Sequence, residues 1–189
     1  LPLTLSLPEA HAGRRNMRLL IQLRWLAVGG QLATIAVATG SLGVELMLFP
    51  LLVAVGLLIT VNLASRVLLR RDRVVTNFEL TGALLVDVGA LAWQLQHSGG
   101  LTNPFAMLFL MQVVLAAMLL TPRSAWMIFG STLVALALLT LKPVPLQLPP
   151  RYVDDPLSLY LLGSFICFVV IASLLITLVM QISKNLRDR

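Results

Sequence analysis

Residues 99–105 read Gly99-Gly100-Leu101-Thr102-Asn103-Pro104-Phe105, and they divide two apolar runs that span about Leu80–Gln96 and Phe105–Leu120. Two adjacent glycines permit backbone angles closed to other residues. Pro104 removes a backbone donor and turns Asn103 away from helix. The stretch therefore predicts a tight turn between two antiparallel helices. Asn103 adds an amide with donors and an acceptor, Phe105 opens the next apolar run, and His97 and Ser98 stand just before the break. Such a polar turn ending in an aromatic ring can hold a ligand ring that bears carbonyl oxygens. The same residues are also ordinary turn punctuation.

The surrounding chain is membrane-like. It has 189 residues, 58% hydrophobic and 12% charged, with a mean hydropathy of +0.92, whereas a soluble domain carries about 25% charged residues. A span needs roughly 20 apolar residues. Six are expected: about Leu19–Thr39, Glu45–Leu69, Leu80–Gln96, Phe105–Leu120, Ala125–Leu141 and Leu157–Met180. The expected fold is an all-α, polytopic six-helix membrane bundle. Residues 1–18 read as a flexible cytoplasmic lead-in, 19–180 as the bundle, and 181–189 as the start of a cytoplasmic linker helix. The connection from Lys142 to Pro156 holds five of the ten prolines.

Charge orients the bundle. With the N-terminus inside, the inner segments carry Arg14, Arg15, Arg18, Arg24, Arg66, Arg70, Arg71, Arg73, Arg123, Lys184, Arg187 and Arg189, and the outer segments only Lys142 and Arg151. That bias predicts both termini in the cytoplasm and residues 99–105 on the periplasmic side. Arginines spread between apolar runs do not make a nucleic-acid footprint. The single cysteine, Cys167, lies in an apolar run and reads as a small core residue.

Two stretches carry a resemblance. Residues 99–105 match a Gly-Gly-x-x-Asn-Pro-Phe signature, and Arg18-Leu19-Leu20-Ile21-Gln22-Leu23-Arg24-Trp25-Leu26-Ala27-Val28-Gly29-Gly30-Gln31 matches a first transmembrane segment with Leu-Arg-Trp followed by Ala-Val and Gly-Gln. Both resemble, in the same order, the membrane part of the RegB/PrrB/ActS family of redox-sensing histidine kinases. The likeness runs from about Arg14 to the end of the chain. It implies a redox sensor in a bacterial inner membrane that reads the quinone pool. The ligand would be ubiquinone or another membrane quinone, held by Gly99, Gly100, Asn103, Pro104, Phe105 and His97. It further implies membrane lipid as surroundings, a homodimer, a cytoplasmic kinase domain and a partner response regulator. The family's redox-active cysteine belongs to the kinase region, so Cys167 does not inherit that role.

Single residues add to this. Asp87 falls roughly 10 Å into the third span and 15 Å from His97. A carboxyl there must be protonated, paired or wet. It reads as a proton-linked candidate that stays protonated at rest, or as a buried group bonded to Thr81, Asn62 or Gln112. His97 can donate to a quinone oxygen or stand solvated in the loop. Gln31, Asn62 and Gln112 read as polar glue between helices. Arg24, near a helix end, reads as an interface anchor that snorkels. Leu175, Val179, Ile182 and Leu186 repeat as a short a/d seam suited to a parallel dimer. The chain shows no metal cluster, nucleotide-binding segment or nucleophile–base pair, so catalytic activity is expected only of a kinase region beyond it. A small permease, or a scaffold without a ligand, is the alternative class.

Overall fold

The computed structural model describes residues 7–70, 74–141, 144 and 149–187, and it is built from helices. They are α1 (Leu7–Ala36), α2 (Leu48–Arg70), α3 (Asn77–Gln96), α4 (Leu108–Leu119), α5 (Pro122–Leu139), the single turn α6 (Pro150–Val153) and α7 (Pro156–Arg187). Local sequence sets their ends. A capping box starts α3: the Glu79 N–H donates to Thr76 Oγ1, and the Thr76 N–H donates to Glu79 Oε2. Pro122 stands in the first turn of α5, where a missing donor costs nothing. After α1 the chain widens into a π-helical turn, Val37–Ser41, and leaves it through Gly43 at φ +70°.

Five helices are long and apolar enough to cross a membrane, and Pro104–Leu119 is a shorter apolar helix. A 3₁₀ turn, Pro104–Met107, leads into α4, so this segment rises roughly 26 Å, slightly under a bilayer core. Its far end still reaches the level where α3 begins. The Thr121 N–H donates to Asn77 Oδ1, Asn77 Nδ2 donates to Ser124 Oγ, and Asn16 Nδ2 donates to the Leu119 carbonyl. Residues 97–103 are thus the hinge of an α3–α4 hairpin.

The third helix is the central post: 56% of its apolar window is buried, against 17% for α7. One apolar cluster joins α1, α3, α4, α5 and α7 through residues such as Leu20, Leu84, Leu95, Ala116, Ile128 and Leu178. A smaller one, with Val28, Ala54, Val55, Leu58 and Ala90, joins α1, α2 and α3. Asn62 ties α2 to α1 by donating to the Ile21 carbonyl, which is the gluing role expected of it.

The first helix starts at Leu7, ahead of Leu19. Residues 12–18 belong to it, and Met17 is buried in the core. Part of the reason is contact with neighbours: Arg14 Nη2 donates to the Leu69 carbonyl, and a Cβ at Gly13 would meet the Val75 carbonyl. Residues 1–6 lie outside the described residues. At the other end, α7 runs without a break past Met180 to Arg187. Its a/d positions are not one free stripe, because Leu175 and Ile182 already pack on this bundle's own core while Val179 faces out. The Leu186 side chain, and Arg71, Arg73, Lys142 and Arg189 of the charge asymmetry, lie outside the described residues.

Candidate functional site

The signature residues form one compact turn. The third helix closes with hydrogen bonds from the His97 N–H to the Gln94 carbonyl and from the Ser98 N–H to the Leu95 carbonyl. Gly99 and Gly100 then take φ of +102° and +64°, the left-handed region that a side chain disfavours. Both are buried. Asn103 clasps the turn: Nδ2 donates to Ser98 O at 2.8 Å and Ser98 Oγ at 2.9 Å, and Oδ1 accepts from the Phe105 N–H at 3.0 Å. Both amide donors of Asn103 are therefore engaged inside the turn, and its oxygen caps the next helical turn. Phe105 is half-buried against the main core. His97 Nδ1 lies 2.8 Å from the Trp93 carbonyl, and its ring sits 4.5 Å from the indole. A carbonyl can only accept, so Nδ1 carries the proton and the outer nitrogen of the neutral ring is an acceptor.

The turn also touches the last helix. Pro104 sits over Gly163 of α7 so closely that a Cβ at 163 would stand 2.7 Å from Pro104 Cγ. No pattern in the sequence marked Gly163. A lone glycine among Leu, Phe and Ile in a span is the weak signal that was available.

Asp87 lies lower on α3, away from the turn. Its partner is none of Thr81, Asn62 or Gln112. Arg24 holds it through a two-point fork, Nε to Oδ1 at 2.8 Å and Nη2 to Oδ2 at 2.9 Å, with Nη2 also donating to the Ala83 carbonyl at 3.1 Å. Arg24 is 3% exposed and Asp87 8%. Arg24 thus does not snorkel to the interface, and it meets the Asp87 carboxyl with the two-point geometry of a guanidinium fork. The reason is that α1 extends well beyond Leu19, which moves Arg24 from a helix end to mid-helix, facing α3.

Arg24, Gln31, Asp87 and Gln112 line a cavity of about 60 Å³ whose apolar wall includes Leu108 and Leu174. Arg24 Nη1 and Gln112 Oε1 are buried and have no hydrogen-bond partner among the described residues. Gln31 reaches Gln94 instead, at 3.4 Å. Cys167 is buried in α7 as a free thiol. Among the described residues, no group of three or more His, Cys, Asp or Glu comes together.

No family model and no solved structure matches the chain. Curated relatives do. The chain is 40% identical over 125 residues to the sensor histidine kinase RegB of Cereibacter sphaeroides, a match covering 66% of this chain and 26% of that protein. A second RegB, from Cereibacter sphaeroides strain ATCC 17023, is 40% identical over 78 residues, covering 41% of this chain and 17% of the relative. The chain thus spans about a quarter of the length of the first of these. This multi-pass helical bundle is therefore similar, over about two thirds of its own length, to part of the RegB sensor histidine kinases.

Proposed function

We propose that this bundle is the input region of a two-component redox sensor kinase, and that it reads the redox state of a membrane quinone pool at the turn formed by residues 97–105. The observation that carries the reading is the seat of Pro104 on Gly163. A ligand at the turn pushes directly on α7, which continues about 36 Å from Gly163 to Arg187. The ligand is ubiquinone or another membrane quinone. It biases the helix arrangement only through a difference in affinity for two states. In this proposal α7 hands the shift to a cytoplasmic kinase domain that acts as a homodimer and phosphorylates a response regulator. Leu175 and Ile182 face inward, so the dimer contact in the membrane would use the outward face of α7.

The chemistry of the turn suggests how each residue takes part. Phe105 offers a ring face, and buried glycines allow close approach. The outer nitrogen of neutral His97 accepts from a quinol hydroxyl, and the imidazolium donates to a quinone carbonyl. Asn103 holds the turn's shape, since its donors are committed to Ser98. A photoreactive quinone tests this. Phe105→Ala, by removing the ring face, and Asn103→Ala, by releasing the clasp on the turn, are each expected to weaken crosslinking several-fold while helical content stays unchanged, an effect of about 1 kcal/mol. Equal crosslinking in parent and both variants would remove the turn as the site.

The proposed orientation places both termini in the cytoplasm of a bacterial inner membrane, with six crossings that include the short α4. Exposed Thr102 and exposed Arg123 lie at opposite ends of the α3–α4 hairpin. In a Cys167→Ser background, a cysteine at Thr102 is expected to react with an impermeant maleimide on spheroplasts, and one at Arg123 only after lysis. The reverse pattern would invert the topology.

A further inference from the structure

We propose that the cavity beside the Arg24–Asp87 pair is a hydration site, occupied by a small cluster of ordered water molecules that joins Arg24 Nη1 to Gln112 Oε1. Size and chemistry both point there. A cavity of about 60 Å³ has room for a small cluster of waters, and it is well below the roughly 150 Å³ of an apolar cavity that takes a benzene ring. Four polar side chains line the space: Arg24, Gln31, Asp87 and Gln112. The two unpartnered atoms are complementary. Arg24 Nη1 only donates and Gln112 Oε1 only accepts, so a bridge between them must accept from one and donate to the other. Water does both. Arg24 is 3% exposed, and leaving one of its amino groups dry would be costly.

The site has a place in the architecture. Arg24 belongs to α1, Asp87 to α3, Gln112 to α4, and Leu174 of the cavity wall to α7. The fork joins α1 to α3 rigidly. The water bridge extends the polar link to α4 through partners that can rotate and exchange. Thus α4 and α7 can shift against the α1–α3 pair without breaking a direct ion pair. The inference does not depend on quinone binding at the turn.

Radiolytic labelling of the intact protein in lipid nanodiscs tests it, because hydroxyl radicals born from a bound water oxidise the side chain next to it. Met111 lines the cavity and is 4% exposed, and Met17 is 5% exposed and does not line it. Brief X-ray exposure is expected to oxidise Met111 at several times the rate of Met17. Gln112→Leu removes the acceptor and is expected to cut Met111 oxidation several-fold while leaving Met17 unchanged. Met111 labelling no faster than Met17 in the parent would overturn the proposal, and that arm needs no variant to fold. The thermal midpoint gives a second sign. If the site were dry, Gln112→Leu would remove an orphaned carbonyl and raise the midpoint. A bridged water predicts a fall of a few degrees.

Discussion

Asp87→Leu is expected to destabilise the bundle by about 3–5 kcal/mol, because it strands the Arg24 guanidinium in the interior. Arg24→Leu should cost a similar amount by leaving the carboxylate alone among Leu84, Leu91 and Ala83. The double variant Arg24→Leu/Asp87→Leu should recover most of the loss, since an apolar pair of similar volume often replaces a buried ion pair without penalty. Unfolding of the three variants in nanodiscs gives the coupling as a double-mutant cycle. A single variant as stable as the parent would mean that the pair is wet enough to tolerate a lone charge. Asp87→Asn separates structure from signalling. It keeps the shape and one acceptor for Arg24 but removes the carboxylate. If proton uptake at Asp87 takes part in signalling, this variant should fold and lose redox control in the intact protein. Normal redox control would leave Asp87 as a packing residue.

The pair shows what the sequence held and why part of it was missed. Asp87 stands out because a carboxylate in an apolar run is expensive. Hydropathy starts the first span at Leu19, and that start puts Arg24 near a helix end, at the interface. Measured from the expected span starts, Arg24 lies roughly 8 Å deep and Asp87 roughly 10 Å. Opposite charges at matched depth on two spans were therefore a legible sign of pairing. The start of α1 was not legible. Arg14, Arg15, Asn16 and Arg18 break the hydropathy pattern, yet the segment is held as helix by tertiary contacts that no local rule encodes, such as those of Arg14 with Leu69 and of Asn16 with Leu119. The signature turn was legible in shape, because two glycines and an Asn-Pro pair allow few alternatives. The bonding within it was not. Asn103 looked like a free amide for a ligand, but folding commits its two donors to Ser98, five residues back. The short fourth helix was likewise legible as a span, and its 3₁₀ start follows from Asn103 capping Pro104–Met107.

Gly163→Ala is expected to uncouple the turn from the output helix. The new Cβ would stand 2.7 Å from Pro104 Cγ, inside the distance at which carbon atoms repel. Either α7 moves outward or the turn lifts, and both break the seat. Overpacking of this kind costs about 1–3 kcal/mol, which leaves the helices formed. In the intact protein the expected result is phosphorylation that no longer follows the redox state, with quinone crosslinking at the turn weakened less than control is. The compensating change is Pro104→Ala, which removes the Cγ that the new methyl meets. If the contact itself carries the signal, Gly163→Ala/Pro104→Ala should regain stability relative to Gly163→Ala alone, with a favourable coupling between the two sites. It should also regain part of the redox response. A bulkier Gly163→Leu should not be rescued, because its side chain reaches beyond the space that Pro104 vacates. Were Gly163→Ala as stable and as well regulated as the parent, the seat would be slack. The turn would then have to reach the kinase by another route, through α4 and the polar centre at Arg24, rather than through α7 directly.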